Sequence, residues 1–193
     1  GSAWRINASA LPGSSSGAGA VIAALGEDGN KFYQAGKTVK QAAYDVQKQS
    51  WSQADVVGRD ARLSQAKLLG STPAAGDLAQ TTRLQQAIAG AQPLGVTGTS
   101  AAPPFTPAVI RSLAVAALAV LGEASEPNVA TLNAIMVEPN VASCANMAKL
   151  NLYQCLASAG PHYEDIYCLA QHAMLEPAGC ASEAVRPMRT AAR

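Results

Sequence analysis

The 193-residue chain has a net charge of +1, with 49% hydrophobic, 5% aromatic and 14% charged residues. A near-neutral balance excludes a whole-molecule field that would draw the protein to nucleic acid or to an anionic membrane. The length fits one domain, with or without extensions, able to bury a core. Much of the apolar fraction is alanine, the best helix former, and the aromatic residues that strands favour are scarce, so the expected fold class is all-α.

In chain order, Gly1-Ser2 reads as the remnant of a cleaved tag, with any signal peptide already removed. Residues 1–30 are rich in glycine and serine and close on a short apolar run at 21–25, which reads as a flexible lead. Gly17-Ala18-Gly19 lacks the third glycine, the preceding strand and the Lys-Ser/Thr of nucleotide-binding loops, so no such cofactor is expected.

Residues 31–70 carry no proline, and Phe32, Val39, Ala43, Val46, Val57, Ala61 and Leu68 recur at spacings built from three and four. That is the period of a long N-terminal amphipathic helix with a small-residue stripe. Unbroken it would run roughly 55–60 Å, so a break at Gly36 or Gly58 is expected. Between residues 31 and 69 seven basic residues face three acidic ones. Tyr44 and Trp51, seven apart, and Lys40 and Lys48 are candidate interface residues for an acidic partner or an anionic polymer.

Residues 71–106 read as a linker, with a short helix near 77–89 and a Gly/Thr/Pro-rich stretch after it. A helical domain is expected over 107–185 and a flexible tail over 186–193. The domain opens with Thr106 as cap and Pro107 at the first helical position. The apolar run at 107–122 is shorter than the about 20 residues a membrane span needs, and Arg111 interrupts it, so it reads as a core helix. Glu126-Pro127-Asn128 returns twelve residues later as Glu138-Pro139-Asn140, marking two similar helix starts with Asn128 and Asn140 as candidate caps.

All four cysteines lie in the last third, at Cys144, Cys155, Cys168 and Cys180, and Gly160-Pro161 divides them two and two. Helices over about 141–159 and 161–175 would fold back at that turn as an antiparallel hairpin. Cys155 and Cys168 stand at similar distances from the tip, and so do Cys144 and Cys180. Eleven residues rotate a helix about 20° past three turns, so Cys144 and Cys155 share a face. Sequence arithmetic permits three pairings; this mirror placement selects nested bridges 155–168 and 144–180. The layout resembles the twin-CxnC helical hairpins of the CHCH class, over residues 144–180 and with spacings of ten and eleven instead of nine. The resemblance is one of geometry and implies no function. The competing readings are four buried thiols, or a zinc site using Cys168 and His172 with His162, Glu164 and Asp165 nearby, although no close C-x2-4-C pair is present.

Paired cysteines on paired helices favour an oxidising compartment, so a periplasmic or secreted location is expected. No catalytic motif stands out: His162-Tyr163-Glu164 lacks the P-C-x-x-C of zinc deaminases, and no G-x-S-x-G element exists. The leading expectation is therefore a non-enzymatic envelope or secreted protein. It would act by binding another envelope protein or a like subunit, as an assembly, adaptor or surface-attachment component, without nucleic acid or a transmembrane segment. The alternatives are a small envelope hydrolase or metal-dependent enzyme built on His162, Glu164, Asp165 and His172, and a carrier with an apolar pocket at Leu113, Val120 and Leu152.

Overall fold

The computed structural model describes residues 12–71, 86–87, 89–92, 95–124 and 126–186. Its elements are α1 (Ser14–Val46), a 3-10 turn (Ser50–Gln53), α2 (Arg59–Ser71), α3 (Pro107–Val120), a 3-10 turn (Glu126–Asn128), α4 (Val129–Met136), α5 (Pro139–Ser158), α6 (His162–Cys168), a π-helical segment (Leu169–Leu175) and α7 (Glu176–Val185). The fold is all-α, and the described residues contain no strand, only one antiparallel bridge between Asp55 and Pro161. They form two compact units that alternate along the chain. One takes the described residues of 12–27, 86–141 and 182–186, the other those of 28–71 and 142–181. The short helix expected near 77–89 falls mostly outside the described residues.

Residues 14–30 are not a flexible lead: they are the first half of α1, and 14–27 belong to the first unit. Intrinsic propensity disfavours glycine in a helix by only about 1 kcal/mol per residue, and here the absence of a side chain is what lets a neighbour in. Residues 98–101 run alongside, with the Ala101 N–H donating to the Ser15 carbonyl at 3.0 Å. A Cβ on Gly19 would collide with the Thr99 backbone, and one on Gly17 would lie 2.9 Å from Leu113. Part of the expected linker is thus packed chain. Ala18, Phe105, Val109 and Val185 form the buried cluster, with Ile22, Leu25 and Leu113 around it.

α3 starts as its sequence implies. Thr106 Oγ1 accepts from the Val109 N–H, and its own hydroxyl donates to the Ala184 carbonyl at 2.7 Å. Arg111 reaches from α3 to the Ile135 carbonyl at the end of α4, at 2.8 Å. The two expected asparagine caps are absent. Asn128 donates to Glu123 instead, Asn140 lies inside α5, and Glu138 accepts from the Val141 N–H at 2.7 Å. A carboxylate three residues back reaches an orphan helix N–H with the proper length and also suits the helix dipole.

In the second unit α1 continues without a break at Gly36. That glycine is buried, and a Cβ there would sit 3.0 Å from both Met174 and Leu175. The buried line of this half is Gly29, Gly36 and Ala43, seven apart and hence on one face. The expected stripe holds only in part, because Phe32, Val57 and Leu68 are exposed. α1 stops at Val46, where the fully buried Ser52 donates its hydroxyl to the Val46 and Gln49 carbonyls. Gly58, at a positive φ of 68°, then turns the chain into α2. The loop before α2 is pinned to the hairpin tip: Val56 N–H donates to Gly160 O at 2.9 Å, and His162 N–H to Ala54 O at 3.2 Å.

The hairpin is α5, a turn at 159–161, and a second arm that runs on to Val185 instead of ending near Leu175. Pro177 stands inside that arm. A proline ring clashes with the carbonyl four residues back and donates no N–H. The helix answers by widening into the π segment just before it, with the Glu176 N–H bonded to the Gln171 carbonyl five residues back.

Two glycines of α1 separate helix propensity from close packing. Gly26→Ala, where nothing lies within 4 Å of the new Cβ, should raise stability by about 0.5–1 kcal/mol. Gly19→Ala should lower it by about 1–3 kcal/mol, because backbone blocks the methyl group. Urea melts of the two variants should shift in opposite directions.

Candidate functional site

The second unit is organised on its disulfides. Cys144 bonds Cys180 and Cys155 bonds Cys168, with Cα–Cα separations of 5.8 and 5.6 Å. Both separations fall in the usual range, and no described cysteine is free. The thiol and zinc readings of these residues are thereby set aside.

Against this hairpin lies the second half of α1, antiparallel to the second arm. Gly36 meets Met174 and Leu175; Lys40 Nζ donates to Gln171 Oε1 at 2.8 Å and stands 5.0 Å over the Tyr167 ring. Tyr44 packs edge-on to Tyr167 at 6.1 Å between centroids. Lys40 is therefore tied to the hairpin. It orders the surface instead of standing ready for a partner, through a contact worth about 0.5–1 kcal/mol. Lys48 is exposed, just past the end of α1. Tyr44 and Trp51 do not share a helix face, because α1 ends at Val46 and Trp51 lies on the following 3-10 turn. Both are exposed, at 51% and 55%.

The sequence reading missed Tyr33 and Lys37. Tyr33, Lys37, Lys40 and Tyr44 fall at i, i+4, i+7 and i+11, within about 60° around the helix. The spacing was visible within the helix expected over 31–70. Tyr33 and Lys37 are exposed, so an aromatic–lysine stripe runs along α1 and meets the hairpin at Tyr167.

The candidate catalytic residues have separate structural duties. The backbone N–H of His162 holds the loop at Ala54. Glu164 Oε2 accepts from the Gly160 N–H at 2.8 Å and closes the start of α6. Asp165 is buried and pairs with Arg62 at 2.5 Å. His172 Nδ1 meets Glu176 at 2.8 Å, and Glu176 in turn accepts from Asn151 at 3.1 Å. Among the described residues no three His, Cys, Asp or Glu side chains gather as a metal site.

Nor do the three carrier residues share a cavity within one unit. Leu113 packs on the first unit's core, Val120 is exposed, and Leu152 lines a hollow of the second unit. That hollow, of about 340 Å³, adjoins another of about 350 Å³, and Ala66, Leu69 and Leu169 line both. Together they make a groove between α2 and the hairpin.

Ring closure by the outer bridge alone would stabilise the fold by about 4 kcal/mol, and by less where the inner bridge already limits the unfolded chain. Replacing Cys144 and Cys180 together by alanine should thus lower stability by about 2–4 kcal/mol. The readout is the denaturant midpoint, with the inner bridge intact.

Compared with protein-family models, with curated proteins and with solved structures, the chain matches none.

Proposed function

We propose that the protein is a disulfide-stapled binding module that works outside the cytoplasm. It docks an acidic partner protein through the exposed aromatic and basic residues of 32–51, as an assembly, adaptor or attachment component. The observation that carries this reading is where the aromatic residues lie. Of the eight aromatic side chains described, Phe32, Tyr33, Tyr44 and Trp51 are exposed, and all four fall within those twenty residues. Exposed aromatic rings serve as anchors at interfaces because they bring large, rigid contact area with little entropy to lose. Lys37 and Lys48 beside them would steer an acidic partner.

The extracytoplasmic part rests on the two bridges, since disulfides persist mainly in oxidising compartments. No described helix is long and apolar enough to cross a membrane, which is compatible with this placement. Trapping of thiols in intact cells with a maleimide after acid quenching should find all four cysteines oxidised. Four labelled thiols would contradict the location.

Photo-crosslinkers placed at Tyr33 and Trp51 should capture one and the same acidic protein, and a crosslinker at Ser158 should not. With that protein in hand, Trp51→Ala should speed dissociation at least tenfold, as expected of an anchor worth about 2 kcal/mol or more. Lys37→Glu with Lys48→Glu should slow association and flatten its salt dependence. Unchanged rates in folded variants would move the interface elsewhere, and capture of a second copy of the chain would make the partner a like subunit.

A further inference from the structure

The groove between α2 and the stapled hairpin has properties that core packing does not explain. α2 bears Leu63, Leu68 and Leu69, yet buries no residue. An amphipathic helix ordinarily seals such leucines against its support. Here Leu69 and Leu169, which line both hollows, remain 69% and 43% exposed. What ties α2 to the hairpin is largely polar: the Arg62–Asp165 ion pair, Lys149 donating to the Gly70 carbonyl at 3.2 Å, and Tyr153 donating to Ala66 at 3.5 Å. Between these ties the floor and walls are apolar, with Val56, Leu63, Leu152 and Leu156 joining the two shared leucines.

The charge around the groove is one-sided. Arg59 and Arg62 line the first hollow and Lys149 the second, and the one carboxylate in either lining, Asp165, is already paired with Arg62. Two adjoining hollows of about 350 and 340 Å³ are within the range of small-molecule sites. Their size and largely apolar lining suit a flexible alkyl chain.

We propose that this groove binds a single-chain anionic amphiphile of the fatty-acid class. The alkyl chain lies over Leu69 and Leu169, and the carboxylate rests at the Arg59 or the Lys149 end. The driving force is the water removed from exposed leucine surface, and the cations select a charged head over a neutral one. This site is distinct from the stripe on α1, and its occupancy does not depend on the partner proposed above.

The test is calorimetric titration of the disulfide-intact protein with dodecanoate below its micelle concentration, with dodecanol as the uncharged control. Saturable one-to-one binding with a negative heat-capacity change is expected, with dodecanol at least fivefold weaker. Leu169→Glu and Leu69→Glu, at exposed positions that should fold normally, are each expected to weaken dodecanoate at least tenfold. Arg59→Glu with Lys149→Glu should erase the preference over dodecanol, while Trp51→Ala should change nothing. Melting temperatures and intact bridges confirm folding, and if one leucine variant unfolds, the other decides. Absence of saturable binding, or undiminished binding by a folded leucine variant, overturns the proposal. Equal affinity of the unaltered protein for dodecanol overturns the anionic part of it.

Discussion

The second unit depends on two nested covalent links across one helical hairpin. With Cys155–Cys168 near the tip and Cys144–Cys180 towards the open end, the two arms are held in register at both ends. Cross-links of this kind act mainly by restricting the unfolded chain, and they matter more where aromatic and large aliphatic side chains are few. Of the residues with almost no exposed surface, the largest are Val109, Cys168 and Ser52, so one bridge half-cystine is itself core. Once the arms are fixed, α1 needs only a line of small residues to lie against them. Gly36 provides the contact with Met174 and Leu175, and the close approach lets Lys40 and Tyr44 reach Tyr167.

The same rigid support accounts for the surfaces proposed to act. A hairpin that holds its own shape can leave neighbouring helices partly unsealed without losing its fold. Phe32, Tyr33 and Tyr44 are borne on a helix that meets the hairpin through Gly36, Trp51 stands on the 3-10 turn after it, and the leucines of α2 stand over a groove bridged by polar ties. Both surfaces carry basic groups, in keeping with the excess of lysine and arginine between residues 31 and 69.

Much of this was legible in the sequence. The all-α class followed from alanine and the scarcity of aromatic residues, the disulfide hairpin from the placement of four cysteines about Gly160-Pro161, and the start of α3 from Thr106-Pro107. What misled was glycine. Gly17 and Gly19 suggested a loose lead and Gly36 a break, because propensity counts the entropic cost of glycine and is blind to the neighbour its missing side chain admits. The second arm was expected to end near Leu175, but it runs on past Pro177, which a π-helical turn absorbs. The interface candidates rested on Tyr44 and Trp51 sharing one helix. The end of α1 at Val46, marked by the buried Ser52 hydroxyl, separates Tyr44 from Trp51, while Tyr33 and Lys37 share the face of Tyr44. The groove was not legible, since it arises from how α2 meets the hairpin and no spacing within either encodes it.

The most direct test of the central claim is the cysteine connectivity of the native protein. Cleavage after Lys149, Glu164 and, with cyanogen bromide, Met174 without reduction places the four cysteines on four different peptides. The account predicts two cross-linked pairs by mass spectrometry, Cys144 with Cys180 and Cys155 with Cys168. A link between Cys144 and Cys155, or four free thiols, would contradict it and remove the support on which the α1 stripe and the α2 groove are built.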